Sequence, residues 1–312
     1  MTDINGLGGL LMRVLVTGAS GHIGSAVIPE LLEAGHEVVG LARSDESAAL
    51  LTAAGADVQR GDLDDLDTLR KAADAADGVI HLAFKHDLED IPRAAEADLH
   101  AVEAMGAALE GSEKPFVVTS GTLLLAFAAP GRLGTEQDTL DAGPRVDSEN
   151  VTVALAERGV RSSVVRLSPL VHSFLDHHGF AHRLINVARD KGVSAYVGDG
   201  SNRWPAVHTL DAARLYRLAF EAAPAGSRFH GVADEGVPFR DIAEVIGRHL
   251  NVPVATIPAD DAAAHFGFLG GLVSLDNPTS SALTRQLLGW QPTHPGLIDD
   301  LDEGHYFHSS AA

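Results

Sequence analysis

Three glycines spaced Gly18-x-x-Gly21-x-x-Gly24 carry the most specific chemistry in the chain. They lie between an apolar run, residues 13–17, and a segment in which Ile23, Val27 and Leu31 recur every four residues, with Ile28 and Leu32 widening the same face. Glycines at a strand-to-helix junction allow a tight turn, a close approach of backbone to a bound group, and close packing of helix on strand. The N–H groups that open such a helix hold an anion, so the chemistry to expect is the cradling of a pyrophosphate, with Ser20, His22 and Ile23 in the same turn. The pattern alone means little among 32 glycines; its place directly after the first strand gives it weight.

The second informative position follows the next apolar run, residues 37–41, where the chain reads Ala42-Arg43-Ser44. A dinucleotide-binding chain that prefers NAD presents a carboxylate here to the ribose 2′-hydroxyl. None occurs before Asp45, whereas Arg43 can make charge-assisted bonds to a 2′-phosphate and Ser44 can add a hydroxyl. The residues therefore point to NADP(H) over NAD(H), the alternative being that Arg43 is only a solvated loop charge.

These residues need a scaffold, and the chain supplies one. Short apolar runs at residues 13–17, 37–41, 56–59, 78–83, 115–119 and 161–167 alternate with helix-patterned stretches, notably 91–109 and 147–158. That alternation is what a parallel sheet wrapped by helices produces, so the fold class is α/β with a doubly wound sheet. Further on, helices are expected at 180–189, 209–222 and 239–249, and strands at 193–197 and 228–232. The tail from Asp260, with its glycines and prolines, is the least regular part.

Composition narrows the partners. Of 312 residues, 43 are Asp or Glu and 23 Lys or Arg, a formal charge of −20 that repels nucleic-acid phosphates and anionic lipid. A small-molecule substrate or a protein partner is left, with no nucleic acid and no membrane. The absence of Cys excludes disulfides, thiolate metal sites and a cysteine nucleophile. No apolar stretch reaches the roughly 18 residues of a membrane span, and the start lacks a signal-peptide pattern, so the chain reads as cytoplasmic. Residues 1–11 read as a flexible extension ahead of a second methionine, Met12. His172, His177, His178 and His182 invite a metal reading, but some clustering is expected among 16 histidines and no His-Glu-x-x-His pattern occurs; no metal is expected. Ser120 lacks the Gly-x-Ser-x-Gly elbow of a serine hydrolase.

From Met12 onward the sequence resembles the extended short-chain dehydrogenase/reductase family, in an atypical form of the NAD-dependent epimerase/dehydratase type. Val16-Thr17-Gly18-Ala19-Ser20-Gly21-His22-Ile23-Gly24 is similar to its cofactor loop, Gly61-Asp62-Leu63 to the segment that contacts adenine, and His81-Leu82-Ala83 to the turn after the fourth strand. Val117-Val118-Thr119-Ser120 is similar to the end of the fifth strand. The stretch from Arg166 to His172, with Ser168 and Pro169, is similar to the segment beside the nicotinamide. Val197-Gly198-Asp199-Gly200, followed by Trp204, His208 and Asp211, resembles the start of the substrate domain. The resemblance implies a Rossmann core over residues 12–170, with 193–215 returning to it, and a smaller C-terminal substrate-binding subdomain over 171–312. It also implies cofactor contacts from Asp62, Leu63, Leu82, Ala83, Ser168 and Pro169, and a homodimer through the helices at 91–109 and 147–158.

The family's usual chemistry rests on Tyr-x-x-x-Lys, in which the lysine charge lowers the tyrosine pKa for proton exchange with the substrate oxygen. Here Tyr196, Tyr216 and Tyr306 are followed four residues on by Gly200, Phe220 and Ser310. Aligning Ser148-Glu149 with the family's Ser-Lys puts Arg145 at the tyrosine position and Glu149 at the lysine position. Set one helical turn apart, Glu149 would accept bonds from ribose hydroxyls while Arg145 stabilised negative charge on a substrate oxygen; the alternative is a plain surface salt bridge. Proton transfer then falls to Ser120, Thr122, His86 or His172. Trp204 suits either a pocket rim or a cap over the core. Phe84, His86, Phe174 and Phe180 would line an apolar cavity with it. The leading expectation is an NADP(H)-dependent oxidoreductase acting on a carbonyl or alcohol carbon. The rivals are a non-catalytic NADP(H)-sensing protein and an epimerase or dehydratase with tightly held cofactor.

Overall fold

The computed structural model describes residues 11–85, 90–143 and 145–308. In chain order the first elements are β1 (Arg13–Thr17), α1 (Gly24–Glu33), β2 (Glu37–Ala42), α2 (Asp45–Ala53), β3 (Asp57–Arg60), α3 (Leu66–Ala75), β4 (Gly78–His81), α4 (Ile91–Leu109) and β5 (Pro115–Gly121). There follow α5 (Leu123–Ala128), α6 (Val146–Ala154), β6 (Arg161–Leu167), β7 (Leu170–His172), α7 (Phe180–Lys191), β8 (Ser194–Val197), β9 (Arg203–His208), α8 (Thr209–Ala222) and β10 (Ser227–Gly231). The last are β11 (Asp234–Pro238), α9 (Phe239–Leu250), β12 (Val254–Ile257), α10 (Ala262–Phe266), α11 (Ala282–Leu288) and α12 (Leu297–Asp302).

The central sheet has seven strands in the order β10-β6-β5-β4-β1-β2-β3. β1 pairs in parallel with β2 and with β4, placing Val14 opposite both Val38 and Gly78. Parallel sheets are covered on both faces, which is why β1 and β4 read as unbroken apolar runs. Chain order reverses where β1 meets β4, and open α/β sheets bind ligands beyond the C-terminal strand ends at such a point. The doubly wound fold expected of the sequence is the one observed.

The chain divides into two compact units. The first comprises the described residues of Met1–Val118, Asp147–Val164 and Tyr216–Ser227. Its core gathers Leu15, Leu69, Val79, Val102, Met105, Phe116 and Leu155, all fully or almost fully buried. Helix starts are set by short polar side chains: Ser44 caps α2, Asp65 caps α3 and Asp90 caps α4, each accepting a backbone N–H from three residues on. The second unit comprises the described residues of Thr119–Val146, Val165–Leu215 and Arg228–Ala312. In it β9 pairs in parallel with β7 and antiparallel with β11, and β8 pairs with β12. Leu170, Trp204, Phe239, Ile242, Ile246 and Leu297 form its core.

Four details differ from the reading of the sequence. β4 stops at His81 rather than residue 83, because the amides of Leu82 and Ala83 turn aside to the carbonyl and hydroxyl of Thr17. The helix expected over 147–158 is α6 followed by a 3-10 turn, Leu155–Arg158, closed by Gly159 in the left-handed region. Residues 193–215, expected to return to the dinucleotide-binding core, form β8, β9 and the first half of α8, and their strands pair with β12, β7 and β11. The tail from Asp260 holds three short helices, α10 to α12. Among the described residues no helix is long and apolar enough to cross a membrane.

Candidate functional site

In the first unit the site is built from backbone. Gly18, directly after β1, has φ 66°, the left-handed region that favours glycine. A Cβ there would lie 2.7–2.9 Å from the backbone of Leu82 and Ala83, and one on Gly24 would lie 2.2 Å from the Gly18 carbonyl oxygen. The Gly21 amide donates to that same oxygen at 3.0 Å. The turn is thus too tight for side chains at Gly18 and Gly24. α1 then starts with no side-chain cap and no acidic residue in its first turn, the Ser25 and Ala26 amides donating to the Gly21 and Ile23 carbonyls, so the positive end of the helix dipole has no side-chain charge against it and favours an anion. Both features fit the pyrophosphate of a dinucleotide, with Ser20, His22 and Ile23 half-buried in the turn.

Beneath the turn lies a buried chain of polar groups that the sequence did not reveal. The Thr17 hydroxyl oxygen accepts from the Ala83 amide at 3.2 Å and is 2.7 Å from His81 Nδ1, while His81 Nε2 is 3.2 Å from an Asp98 carboxylate oxygen. Both ring nitrogens of His81 are thus within hydrogen-bond distance of a buried polar atom. The chain ties the ends of β1 and β4 together under Gly18. At the end of β2, Arg43 is exposed, and Ser44 Oγ accepts from the Ser47 amide at 3.1 Å. The register pairs Ala42 with Arg60, and Arg60 takes up the Asp45 carboxylate at 2.9 Å. Asp62 accepts from the Asp64 amide at 3.0 Å, and Leu63 is buried. Leu82, Ala83 and Phe84 are half-buried; His86 lies outside the described residues. Glu149, on α6, is buried.

In the second unit the site is built from side chains. Ser120, near the end of β5, is buried, and its hydroxyl meets no hydrogen-bond partner among the described residues. The Thr122 hydroxyl accepts from Asn277 at 3.1 Å. Arg145 does not sit on the helix as the sequence reading had it: α6 begins one residue later, and Arg145 has φ 65°. The helical spacing of Arg145 and Glu149 is therefore corrected, since a left-handed residue cannot continue an α-helical turn. Its guanidinium donates to the Thr119 carbonyl at 2.8 Å, at the end of β5. Ser168 Oγ donates to the Gly231 carbonyl at 2.8 Å, and Pro169 is half-buried beside it.

His172 ends β7 fully buried, with Nδ1 2.9 Å from a carboxylate oxygen of Asp300, 128 residues away. Its Nε2 is buried and meets no partner among the described residues. The same carboxylate faces His305 Nε2 at 3.8 Å and His208 Nε2 at 4.0 Å. The His208 ring stands edge-on to His172 at 5.5 Å and stacks on His294 at 4.6 Å, whose Nδ1 meets Asp211 at 2.9 Å. Burial, and then the neighbouring His172 and His294, pull the His208 pKa down to about 4 against the opposing carboxylates of Asp300 and Asp211. His208 and Asp211 were visible as a motif; Asp300 and His294 gave no signal, because only the folded chain brings them there. Of the histidines clustered in sequence, His177 and His178 are exposed with their rings 6.4 Å apart, His182 faces Tyr306, and His172 is buried. Asp300, Glu303 and His305 bring ligand atoms within 4.8 Å of one another, with Glu303 exposed and Asp300 already bonded to His172. Trp204 is fully buried between Phe180 and Phe239 and donates to the Leu275 carbonyl, which makes it a core residue and not a pocket rim. Phe174 is 61% exposed.

A phosphate-sized glycine turn at the switch point of a doubly wound parallel sheet defines a dinucleotide-binding α/β protein. The comparisons with known proteins are specific about which kind. The chain belongs to the NAD dependent epimerase/dehydratase family, whose model matches residues 14–121. It is 51% identical over 298 residues to an uncharacterised protein of Schizosaccharomyces pombe, covering 95% of this chain and 100% of that one. It is 26% identical over 273 residues to 4-hydroxy-2-methyl-3-oxo-4-farnesyl-3,4-dihydroquinoline-1-oxide ketoreductase of Stigmatella aurantiaca, covering 82% of this chain and 80% of that one. In fold it is similar to UDP-glucuronic acid 4-epimerase from Bacillus cereus, crystallised with UDP-glucuronic acid and NAD, with TM-score 0.74, 18% identity, and 95% and 98% of the two chains covered. Family and fold make this an NAD(P)-dependent protein of the extended short-chain dehydrogenase/reductase type, a group of oxidoreductases, epimerases and dehydratases.

Proposed function

We propose that this chain is an NADP(H)-dependent oxidoreductase that interconverts a carbonyl and an alcohol on an apolar small molecule. The observation that carries the coenzyme choice is at the end of β2. Arg43 is exposed there, and the carboxylate next in sequence, Asp45, is held in an ion pair by Arg60. A 2′-phosphate at that place would meet the Arg43 guanidinium, whereas the Asp45 carboxylate lies beyond the turn with one oxygen on Arg60. Gly18, Ser20, Gly21, His22, Ile23 and Gly24 would hold the pyrophosphate, Arg43 and Ser44 the 2′-phosphate, and Asp62, Leu63, Leu82, Ala83, Ser168 and Pro169 the remainder.

When bound, the coenzyme supplies or takes the hydride. This chain's own residues orient the substrate and handle its proton. Ser120, with its unpartnered hydroxyl, is the candidate to bond the substrate oxygen, and His172, with Nδ1 given to Asp300 and Nε2 open, is the candidate to move the proton. Thr122 and Arg145, bonded to Asn277 and to the Thr119 carbonyl, hold the end of β5 in shape, and Glu149 is the candidate partner of ribose hydroxyls. Carbonyl reduction is the activity named for the Stigmatella aurantiaca relative, and epimerisation that named for a Streptomyces lividans relative of similar identity. Arg43→Ala tests the coenzyme assignment: NADPH affinity should fall by about 1.5–3 kcal/mol with NADH affinity nearly unchanged. Equal losses for both would overturn it. Coenzyme that stays bound and is never consumed with carbonyl substrates would favour the epimerase or sensor readings.

A further inference from the structure

Two polar contacts join the C-terminal segment to β7 and the loop that follows it. Asp300, on α12, takes the Nδ1 of His172, with both side chains buried. Six residues on, the Tyr306 hydroxyl donates to Asp176 Oδ2 at 3.2 Å and accepts from the Ser173 amide at 3.1 Å. Asp176 uses its other oxygen to accept from the amides of His178 and Gly179, the turn that opens α7. A Cβ on Gly179 would lie 2.7 Å from that carboxylate, so the turn is drawn tightly around Asp176. The loop 173–179 therefore hangs on side chains, and Tyr306 supplies a central one. Burial and the Asp176 carboxylate raise the Tyr306 pKa far above that of an ordinary phenol, so the hydroxyl stays protonated and keeps donating.

His172 shows the consequence at one ring. Its Nδ1–H is committed to Asp300, which fixes both the tautomer and the ring plane, and its buried Nε2 has no partner among the described residues. A buried ring nitrogen without a partner costs free energy, and His36, bonded to Glu221 through its other nitrogen, carries one as well. A carboxylate behind an imidazole, with the far nitrogen open, is the arrangement that serves proton transfer.

We propose that the C-terminal segment is a working part of the substrate site: Asp300 is the positioning residue for His172, and Tyr306 is the positioning residue for the loop that carries Phe174. This rests on the oxidoreductase reading for its catalytic half. In the reduction direction a bound coenzyme would supply the hydride that forms the new C–H bond as the C=O π bond breaks, and His172 would hand the new oxygen a proton drawn in turn from solvent. The charged groups around His172 are Asp300 from α12, His208 from β9, His294 stacked on His208, Asp211 behind His294, and His305 beside Asp300.

The test compares the full-length protein with Asp300→Asn and Tyr306→Phe. It uses amide hydrogen exchange of residues 173–179, NADPH binding, and steady-state reduction of an apolar ketone across pH. Tyr306→Phe should speed exchange in 173–179 about tenfold and raise KM more than it lowers kcat. Asp300→Asn should lower kcat about tenfold or more and displace the pH profile, with KM little changed. Both variants should bind NADPH as the parent does. Unchanged exchange in Tyr306→Phe overturns the role of Tyr306, and an unchanged kcat and pH profile in Asp300→Asn overturns that of Asp300. Parallel losses of kcat and KM quality that simply follow a lowered melting temperature overturn both. If the parent reduces no carbonyl at all, the oxidoreductase reading fails along with the role of Asp300, while exchange at 173–179 still decides the role of Tyr306.

Discussion

The glycine turn of the first unit and the histidine centre of the second solve opposite problems. At Gly18 and Gly24 the requirement is the absence of side chains, and the working groups are backbone N–H donors that carry no titratable charge. Around Asp300 the requirement is the reverse: His172, His208 and His305 converge on one buried carboxylate, with His294 and Asp211 behind. The first kind of site is indifferent to pH and intolerant of volume. The second rests on titratable groups, and one of them, His208, has its pKa pulled down by burial and by His172 and His294.

That contrast can be broken at either end. The largest effect is expected at Gly24→Ala, where the new methyl group would meet the Gly18 carbonyl 2.2 Å away and force the turn open. NADPH affinity should fall by about 3 kcal/mol or more, read by fluorescence titration, and parent-like affinity would mean that the turn does not carry the phosphates. Next comes the pH dependence of stability at His208, only 7% exposed. Its folded pKa, about 4, lies below the ordinary 6.5, so as pH falls through that window the unfolded chain takes up a proton that the folded chain refuses. The stability contributed above 6.5 is therefore lost progressively down to about 4, by an amount of order 3 kcal/mol at most. Urea unfolding should show a shallower acid loss in His208→Gln than in the parent; matching slopes would contradict the assignment. The smallest effect is at Ser44→Ala, which removes the acceptor for the Ser47 amide and should lower thermal stability by about 1 kcal/mol. NADPH affinity should fall slightly in the same variant, since Ser44 is proposed to serve the 2′-phosphate; unchanged affinity would take Ser44 out of that site.

How much of this could be read from the chain follows from the same physics. The turn at Gly18 and the alternation of strands with helices depend on neighbours within a few residues or on apolar periodicity, and both are printed in the sequence. The partner of His172 is not, because Asp300 lies in a tail with no strong periodicity and reaches β7 only once α12 packs. Trp204 shows a different limit: a large aromatic after a glycine-rich segment suits a rim and a core equally well, and packing against Phe180 and Phe239 decides it. Arg145 shows a third. Spacing suggested a helical pair with Glu149, but the left-handed backbone at Arg145 starts the helix one residue later, which no count of four can reveal.

The most direct measurement follows the absorbance of reduced coenzyme while the protein is given apolar aldehydes and ketones, once with NADPH and once with NADH. The account predicts saturable consumption of NADPH, much weaker use of NADH, and a stoichiometric alcohol product. Tight binding of NADPH with no consumption across the panel, or a plain preference for NADH, would contradict it.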